Sequence, residues 1–260
     1  MSKVIAIANE KGGVGKTTTS VNLGIGLAKH GKKVLIADVD PQGSLTTHLG
    51  FRQPENLELT TATIMEKIIK NKSLNASEAI LNHSEGISIL PANIELSSTE
   101  RALVTTLGGE TILKRYIETI SHEYDYIILD CSPSLGMLTI NSLVAADSVI
   151  IPVAPKYLDA KGLELLLKTI ADLDTVIGKK LTIEGILVTM ANTQTKYNRD
   201  IIALIEKTYK GKFEIYRKNI PQSVRVSEAS AVGVSIYTHD PHGKAALAYK
   251  SLTTEVLSHG

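Results

Sequence analysis

The chain has 260 residues, 28 Lys+Arg against 27 Asp+Glu for a formal charge of +1, and 43% hydrophobic residues, enough for one large domain spanning residues 1–260. Its single cysteine, Cys131, excludes an intrachain disulfide, a Cys-ligated zinc cluster and a four-thiolate iron–sulfur site, and fits a reducing cytoplasm. No run approaches the ~20 apolar residues of a membrane span, residues 4–8 are too short for a secretory core, and the low net charge speaks against a surface that is basic all over.

In chain order, residues 4–8 form a first short apolar run of strand length. A helix over 17–30 follows, ended by Gly31 as a left-handed cap, and then a second strand at 34–37. Residues 51–85 are polar and dotted with Asn and Ser, which predicts short helices crossing one sheet edge. Further strands are predicted at 87–90, 126–129, 149–153, 185–188 and 213–216. Between them Leu163, Leu166, Ile170, Leu173 and Ile177, and then Ile201, Leu204, Ile205 and Tyr209, have helical spacing. The alternation predicts an α/β fold, a doubly wound, mostly parallel sheet with helices on both faces. No repeat, low-complexity tract or linker divides it.

The first strand runs directly into Glu10-Lys11-Gly12-Gly13-Val14-Gly15-Lys16-Thr17-Thr18 and then a helix. Strand, glycine-rich turn and helix N-terminus are the context a phosphate loop requires. Gly12, Gly13 and Gly15 lack the Cβ that would block a turn wrapped around an anion, so successive N–H groups can face the β-phosphate. Lys16 would neutralise β/γ oxygens and the Thr17 hydroxyl would ligate Mg²⁺. Glu10 stands where the usual pattern has its first glycine, and a second lysine, Lys11, precedes the glycine pair. Lys11 reads either as a solvated loop residue or as a group reaching a phosphate held by a facing copy of the chain.

Two other strand ends carry acids. Asp38 and Asp40 end the second strand two residues apart, on one side of an extended backbone. Asp130 follows four apolar residues, the pattern of an acid that holds Mg²⁺ through water. The carboxyl ends of an open α/β sheet gather around one crevice, so the metal set is Thr17, Asp40 and Asp130. Asp40 is the candidate to orient the attacking water, with Asp38 as alternative, and either acid could instead cap the next helix. The seven histidines look scattered over loops and the surface, and no Ser/His/Asp or Cys/His arrangement competes.

Charge is uneven. Residues 194–225 hold eight basic side chains, Lys196, Arg199, Lys207, Lys210, Lys212, Arg217, Lys218 and Arg225, against Asp200, Glu206 and Glu214; this local +5 leaves −4 for the remainder. Such a stretch is either a solvated helix and strand edge or a face for a nucleic-acid backbone.

Four segments together, Lys11 to Thr18, Asp38-Val39-Asp40-Pro41-Gln42-Gly43, Ile128-Leu129-Asp130-Cys131-Ser132-Pro133-Ser134-Leu135-Gly136, and Ile220-Pro221 with Val224-Arg225-Val226-Ser227-Glu228-Ala229, resemble the ParA/Soj family of deviant-Walker ATPases. The likeness runs from the first strand almost to the C-terminus. The loop with two lysines is shared with a wider group that includes MinD and the nitrogenase iron protein, whereas the other segments point to ParA/Soj more narrowly. The resemblance implies a SIMIBI-type phosphate-loop fold using ATP, ADP and Mg²⁺. It makes Lys11 a lysine that reaches across an ATP-sandwich homodimer, and Asp40 the hydrolytic aspartate. The catalytic set it implies is Lys11, Lys16 and Asp40. It further implies that the ATP-bound dimer binds duplex DNA without sequence preference, becoming nucleoid-associated, and that a ParB-type centromere-binding partner stimulates hydrolysis and releases it. Arg225 matches a DNA-contacting arginine of the pattern. Gln194 and Gln222 stand where arginines are frequent, which shifts DNA contacts toward Lys196, Arg199, Lys207 and Lys218. Asn192 and Pro221 are the candidates for adenine, and Ser132 replaces the first of two usual prolines at small expected cost.

Other readings are less well supported. A MinD-like membrane cycle needs a basic amphipathic tail, but residues 245–260 hold one lysine and read as a packed helix, so no membrane partner is expected. An electron carrier of the iron-protein kind needs two cluster cysteines. A metabolic phosphate-loop enzyme such as an ATP-dependent amide ligase should carry substrate-binding insertions, and a scaffold could bind ATP without turnover. With the phosphate loop starting at the tenth residue, no N-terminal helix-turn-helix is expected, nor sequence-specific operator binding.

Overall fold

The computed structural model describes residues 2–259, without the side chains of residues 157–161. Strand β1 (Lys3–Ile7) enters the turn that starts α1 (Lys16–Lys29), and β2 (Val34–Val39) leads to α2 (Ser44–His48) and α3 (Thr61–Ile69). Strands β3 (Leu81–Asn82) and β4 (Ser88–Leu90) precede α4 (Leu96–Thr105) and α5 (Ile112–Ile120). Then β5 (Tyr126–Cys131), α6 (Met137–Ala145), β6 (Ser148–Val153), α7 (Tyr157–Ile177) and β7 (Thr182–Val188) alternate. The chain closes with α8 (Lys196–Tyr209), α9 (Val224–Val232), α10 (Ile236–His239) and α11 (Lys244–Ser258).

The strands form one sheet in the order β3-β4-β2-β5-β1-β6-β7, parallel throughout except for β3, which runs antiparallel to β4. Strands buried on both faces put alternate residues into two cores. Ala6, Leu35, Ala37, Ile127, Leu129, Val149 and Ile151 face a layer that includes α3, α5, α6, α7 and α8. Ile5, Ile7, Val34, Ile36, Ile128, Ile150 and Leu187 face α1, α2, α10 and α11. Local sequence starts and stops these helices. Thr60 and Thr63 make a reciprocal capping box at α3, Thr195 caps α8, and Gly178 at φ 67° ends α7. Residues 51–85 supply the predicted short helical pieces, with β3 as an addition. Among the described residues no helix is long and apolar enough to cross a membrane.

Two expectations need correction. Residues 213–216 are not a sheet strand: Phe213 and Ile215 make isolated bridges, and the segment follows β7 through Ile186 N–H to Glu214 O (2.9 Å) and Tyr216 N–H to Ile186 O (3.1 Å). Alternating apolar residues look the same in a ladder and in a chain lying beside one. The histidines, too, are not all on the surface, since His48, at the end of α2, is 6% exposed.

Burial pushes the His48 pKa down to about 4, so the folded ring stays neutral where an unfolded histidine takes a proton near pH 6.5. The unfolded state therefore binds more protons in that window, and stability from this residue falls as pH drops from about 6.5 to 4. Urea unfolding across that range is expected to show a loss of up to about 3 kcal/mol that His48→Gln removes. Parallel curves for the two proteins would refute this assignment.

Candidate functional site

The turn after β1 is shaped by glycine where only glycine is easily accommodated: Gly13 and Gly15 sit at φ 71° and 84°. Gly15 is the N-cap of α1 and offers no side chain to the first-turn N–H groups, and that turn carries no acid, so those donors remain for an anion. Asn9 anchors the near lip. Its Nδ2 donates to Pro152 O at 2.7 Å, and its Oδ1 accepts the Lys11 N–H at 3.0 Å. Thr189, just beyond β7, donates its hydroxyl to Val14 O at 2.7 Å and pins the far lip.

Lys16 is 7% exposed, and its ammonium donates to Asn9 O (3.1 Å) and Lys11 O (2.9 Å), so it lies across its own loop. Burial pulls its pKa down, and Asp130, Cys131 and Asp40 oppose that shift. Lys11 is half-buried, its stem lying against α7 where Gly162 leaves a notch; a Cβ on Gly162 would stand 2.8 Å from Lys11 Cγ.

The acids at the strand ends differ in their commitments. Asp130, 1% exposed, accepts Thr17 Oγ1 and Ser20 Oγ at 2.8 Å each on separate oxygens. Burial and then the neighbouring Asp38 charge push its pKa up to about 7. Asp38 is fully buried and raised to about 6 by burial, with its oxygens taken by Asp40 N–H and by Thr46. Asp40 is 9% exposed and accepts only the Gln42 N–H, at 3.0 Å on Oδ1, among the hydrogen bonds given for its carboxylate. Asp38 is thus spent on its own loop, whereas Asp40 keeps acceptor capacity at the crevice.

Beside the loop lies a cavity of about 420 Å³ lined by Gly15, Thr18, Thr189, Met190, Pro221 and Tyr249, among others. Its size and mixed lining suit a nucleoside. Pro221 is among its lining residues. Asn192 does not line it, its N–H donating to Asn198 Oδ1 and its Oδ1 accepting Gln194 N–H. Met190, a non-glycine residue at φ 50°, lines the wall instead. Ser20, Thr189, Met190 and Tyr249 were missed by sequence reasoning. Ser20 lies three residues after Thr17 on one helix face, and Thr189 and Met190 follow a strand end, where ligand groups gather.

The basic stretch wraps around the β7 edge. Helix α8 buries Ile201, Ile205 and Tyr209 in one layer, while Tyr216 and Ile220 belong to the other. Lys196, Arg199 and Lys207 sit on α8, with the Arg199 guanidinium donating to Thr193 O (2.8 Å) and Gln194 O (3.0 Å). Lys218 joins Arg217 and Lys244 around a second cavity of about 440 Å³. Arg225, 63% exposed on α9, pairs with Glu228 at 2.9 Å.

A glycine loop between a central parallel strand and a helix, a buried lysine within it and acids at the next strand ends define a phosphate-loop nucleotide hydrolase. Residues 2–183 match a family model described as an AAA domain. The sporulation initiation inhibitor protein Soj of Bacillus subtilis is 41% identical over 260 residues, 100% of each chain. The chromosome-partitioning ATPase Soj of Treponema pallidum is 35% identical, covering 99% of this chain and 98% of that one. A solved structure of cobyrinic acid a,c-diamide synthase from Mycobacterium smegmatis with bound ADP and magnesium has a TM-score of 0.85 at 33% identity, covering 100% of this chain and 95% of that one. The chain belongs to the ParA/Soj family of ATPases.

Proposed function

We propose that this ATPase drives DNA partitioning: with ATP it pairs face to face, the pair binds duplex DNA without sequence preference, and a ParB-type partner stimulates hydrolysis and so release. The observation that supports this reading is the second loop lysine. Lys11 has its amide fixed by Asn9 and its carbonyl holding the Lys16 ammonium, so its main chain is committed to the loop and its side chain, half-buried beside Gly162, is spared from holding the loop.

In this reading the amides of residues 12–18 and the Lys16 ammonium bind the phosphates of ATP, and the cavity at Met190 and Pro221 takes the base. Among the described residues no three His, Cys, Asp or Glu side chains gather to hold a cation alone, so hydroxyl, phosphate and water oxygens would complete a hard-oxygen set of Thr17, Asp130 and Asp40. That set fits Mg²⁺, which keeps several waters and would offset phosphate charge. Asp40 orients the attacking water and accepts its proton. Lys11 of one copy approaches the phosphates of the other. Arg225, Lys218, Lys196, Arg199 and Lys207 contact the DNA backbone, and pairing doubles those contacts. The protein then works in the cytoplasm and on the nucleoid, as a single ATPase domain.

The decisive measurement is retention of a random duplex with ATP, ADP or no nucleotide, together with the ATPase rate with and without DNA and a ParB-type protein. Retention is expected only with ATP, weakened by Arg225→Ala and falling with salt at a log–log slope of about −0.9 per neutralised phosphate. The rate should respond to both additions. Equal retention in all three nucleotide states would overturn the gating. The diamide synthase likeness favours a second reading, an amide-forming enzyme, since 100% of this chain and 95% of that one are covered, although the substrate-binding insertions expected of such an enzyme have no counterpart here. A rate indifferent to DNA and partner would select it.

A further inference from the structure

Thr46 lies on α2, eight residues beyond Asp38, and is fully buried. Its hydroxyl has one proton and two lone pairs to place. The proton goes to Asp38 Oδ2 at 2.7 Å, and a lone pair accepts the Ala92 N–H at 2.9 Å. The Thr46 N–H donates to the same Asp38 oxygen at 2.9 Å. The other Asp38 oxygen accepts the Asp40 N–H at 3.1 Å. Asp40 in turn closes its own turn, accepting Gly43 N–H on its carbonyl (2.9 Å) and Gln42 N–H on its carboxylate (3.0 Å). The loop that presents Asp40 therefore hangs from Asp38, Asp38 hangs from Thr46, and Thr46 hangs from the segment after β4.

That segment is itself fixed. Thr61 shares its one hydroxyl proton between Asp38 O (2.8 Å) and Pro91 O (3.1 Å), and donates its N–H to Pro91 O (2.8 Å). Gly43, at φ 58°, passes so close to Ala92 that a Cβ there would stand 2.8 Å from Ala92 O. Ala92 thus holds the loop twice, by its N–H through Thr46 and by close approach at Gly43. Packing alone does not ask for a hydroxyl at position 46, since valine has nearly the same shape; what valine cannot do is bridge a carboxylate and an amide.

We infer that Thr46 is a positioning residue for hydrolysis: its hydroxyl fixes the Asp38 carboxylate, which fixes the main chain at Asp40 and so the direction of the Asp40 carboxylate. The inference rests on Asp40 being the acid that orients water. Errors of about 1 Å in such a group cost up to about 100-fold in rate.

The test compares Thr46→Val, Thr46→Ser and Asp40→Ala in single-turnover ATP hydrolysis, with amide hydrogen exchange as a readout independent of activity. Thr46→Val is expected to lower the hydrolysis rate about 10- to 100-fold while ATP affinity stays within about threefold, and to speed exchange at the Asp40 and Ala92 amides. Thr46→Ser should restore both to within about threefold of the parent. A normal rate in Thr46→Val with no hydrolysis in Asp40→Ala overturns the role of Thr46 alone. A normal rate in Asp40→Ala overturns the reading beneath it. If Thr46→Val does not fold, Thr46→Ser still tests the inference, since a slow but folded serine variant with its hydroxyl intact overturns it.

Discussion

Lys16→Ala is expected to abolish ATP binding and to leave a folded protein. The ammonium is buried against two carbonyls of its own loop, an arrangement that costs solvation and that phosphate oxygens, in the proposed complex, would offset. Removing it therefore takes from the nucleotide-free fold only its two hydrogen bonds to main-chain carbonyls. What it takes from the complex is large. Loss of one such donor typically costs about 10²–10³ in turnover, and here the same group also carries binding. A ligand at 100 times its dissociation constant stabilises its protein by about 2.7 kcal/mol, so thermal unfolding with and without MgATP reads the effect directly. The parent should gain stability and Lys16→Ala should not. A variant that still shifts with ATP would remove Lys16 from the site.

Asp40→Ala should do the opposite, retaining ATP while turnover falls by about 10²–10⁴, the usual worth of a positioned acid or base. Asp38 and Asp40 are two residues apart and chemically equal, yet their surroundings divide them. Asp38 accepts three hydrogen bonds from residues 40 and 46, so Asp38→Asn would disturb the loop and stability together. Asp40 carries one such bond on one oxygen, and its loss should spare the fold. Equilibrium binding of an ATP analogue and single-turnover hydrolysis separate the cases; unchanged hydrolysis in Asp40→Ala would move the role to Asp38 or elsewhere.

Much of the fold and of the loop is legible in the sequence alone. Short β-branched runs flanked by turn residues marked six strands of the sheet because burial on both faces demands them, and the spacing of Gly13, Gly15, Lys16 and Thr17 marked the loop because its backbone needs those residue types. The failures share a physical cause, in that they depend on contacts between distant segments. Nothing local distinguishes residues 213–216 from a strand, since their edge contacts with Ile186 arise only once β7 is in place. Asn192 looked suited to a base, but Asn198 and Gln194 claim it, and the left-handed turn at Met190 carries the wall of the cavity. His48 is polar in sequence and buried in space because α2 packs inward behind the Asp38 network.

The margins of the sheet carry one more consequence. On one side the two-residue β3 closes β4 in the reverse direction, and on the other residues 214–222 shadow β7 and its continuation, taking bonds at Ile186, Val188 and Ala191. Neither flank offers a long bare row of amides and carbonyls for another chain to extend. Two copies meeting edge to edge therefore find no long run of free strand to extend, which disfavours fibres built by strand addition.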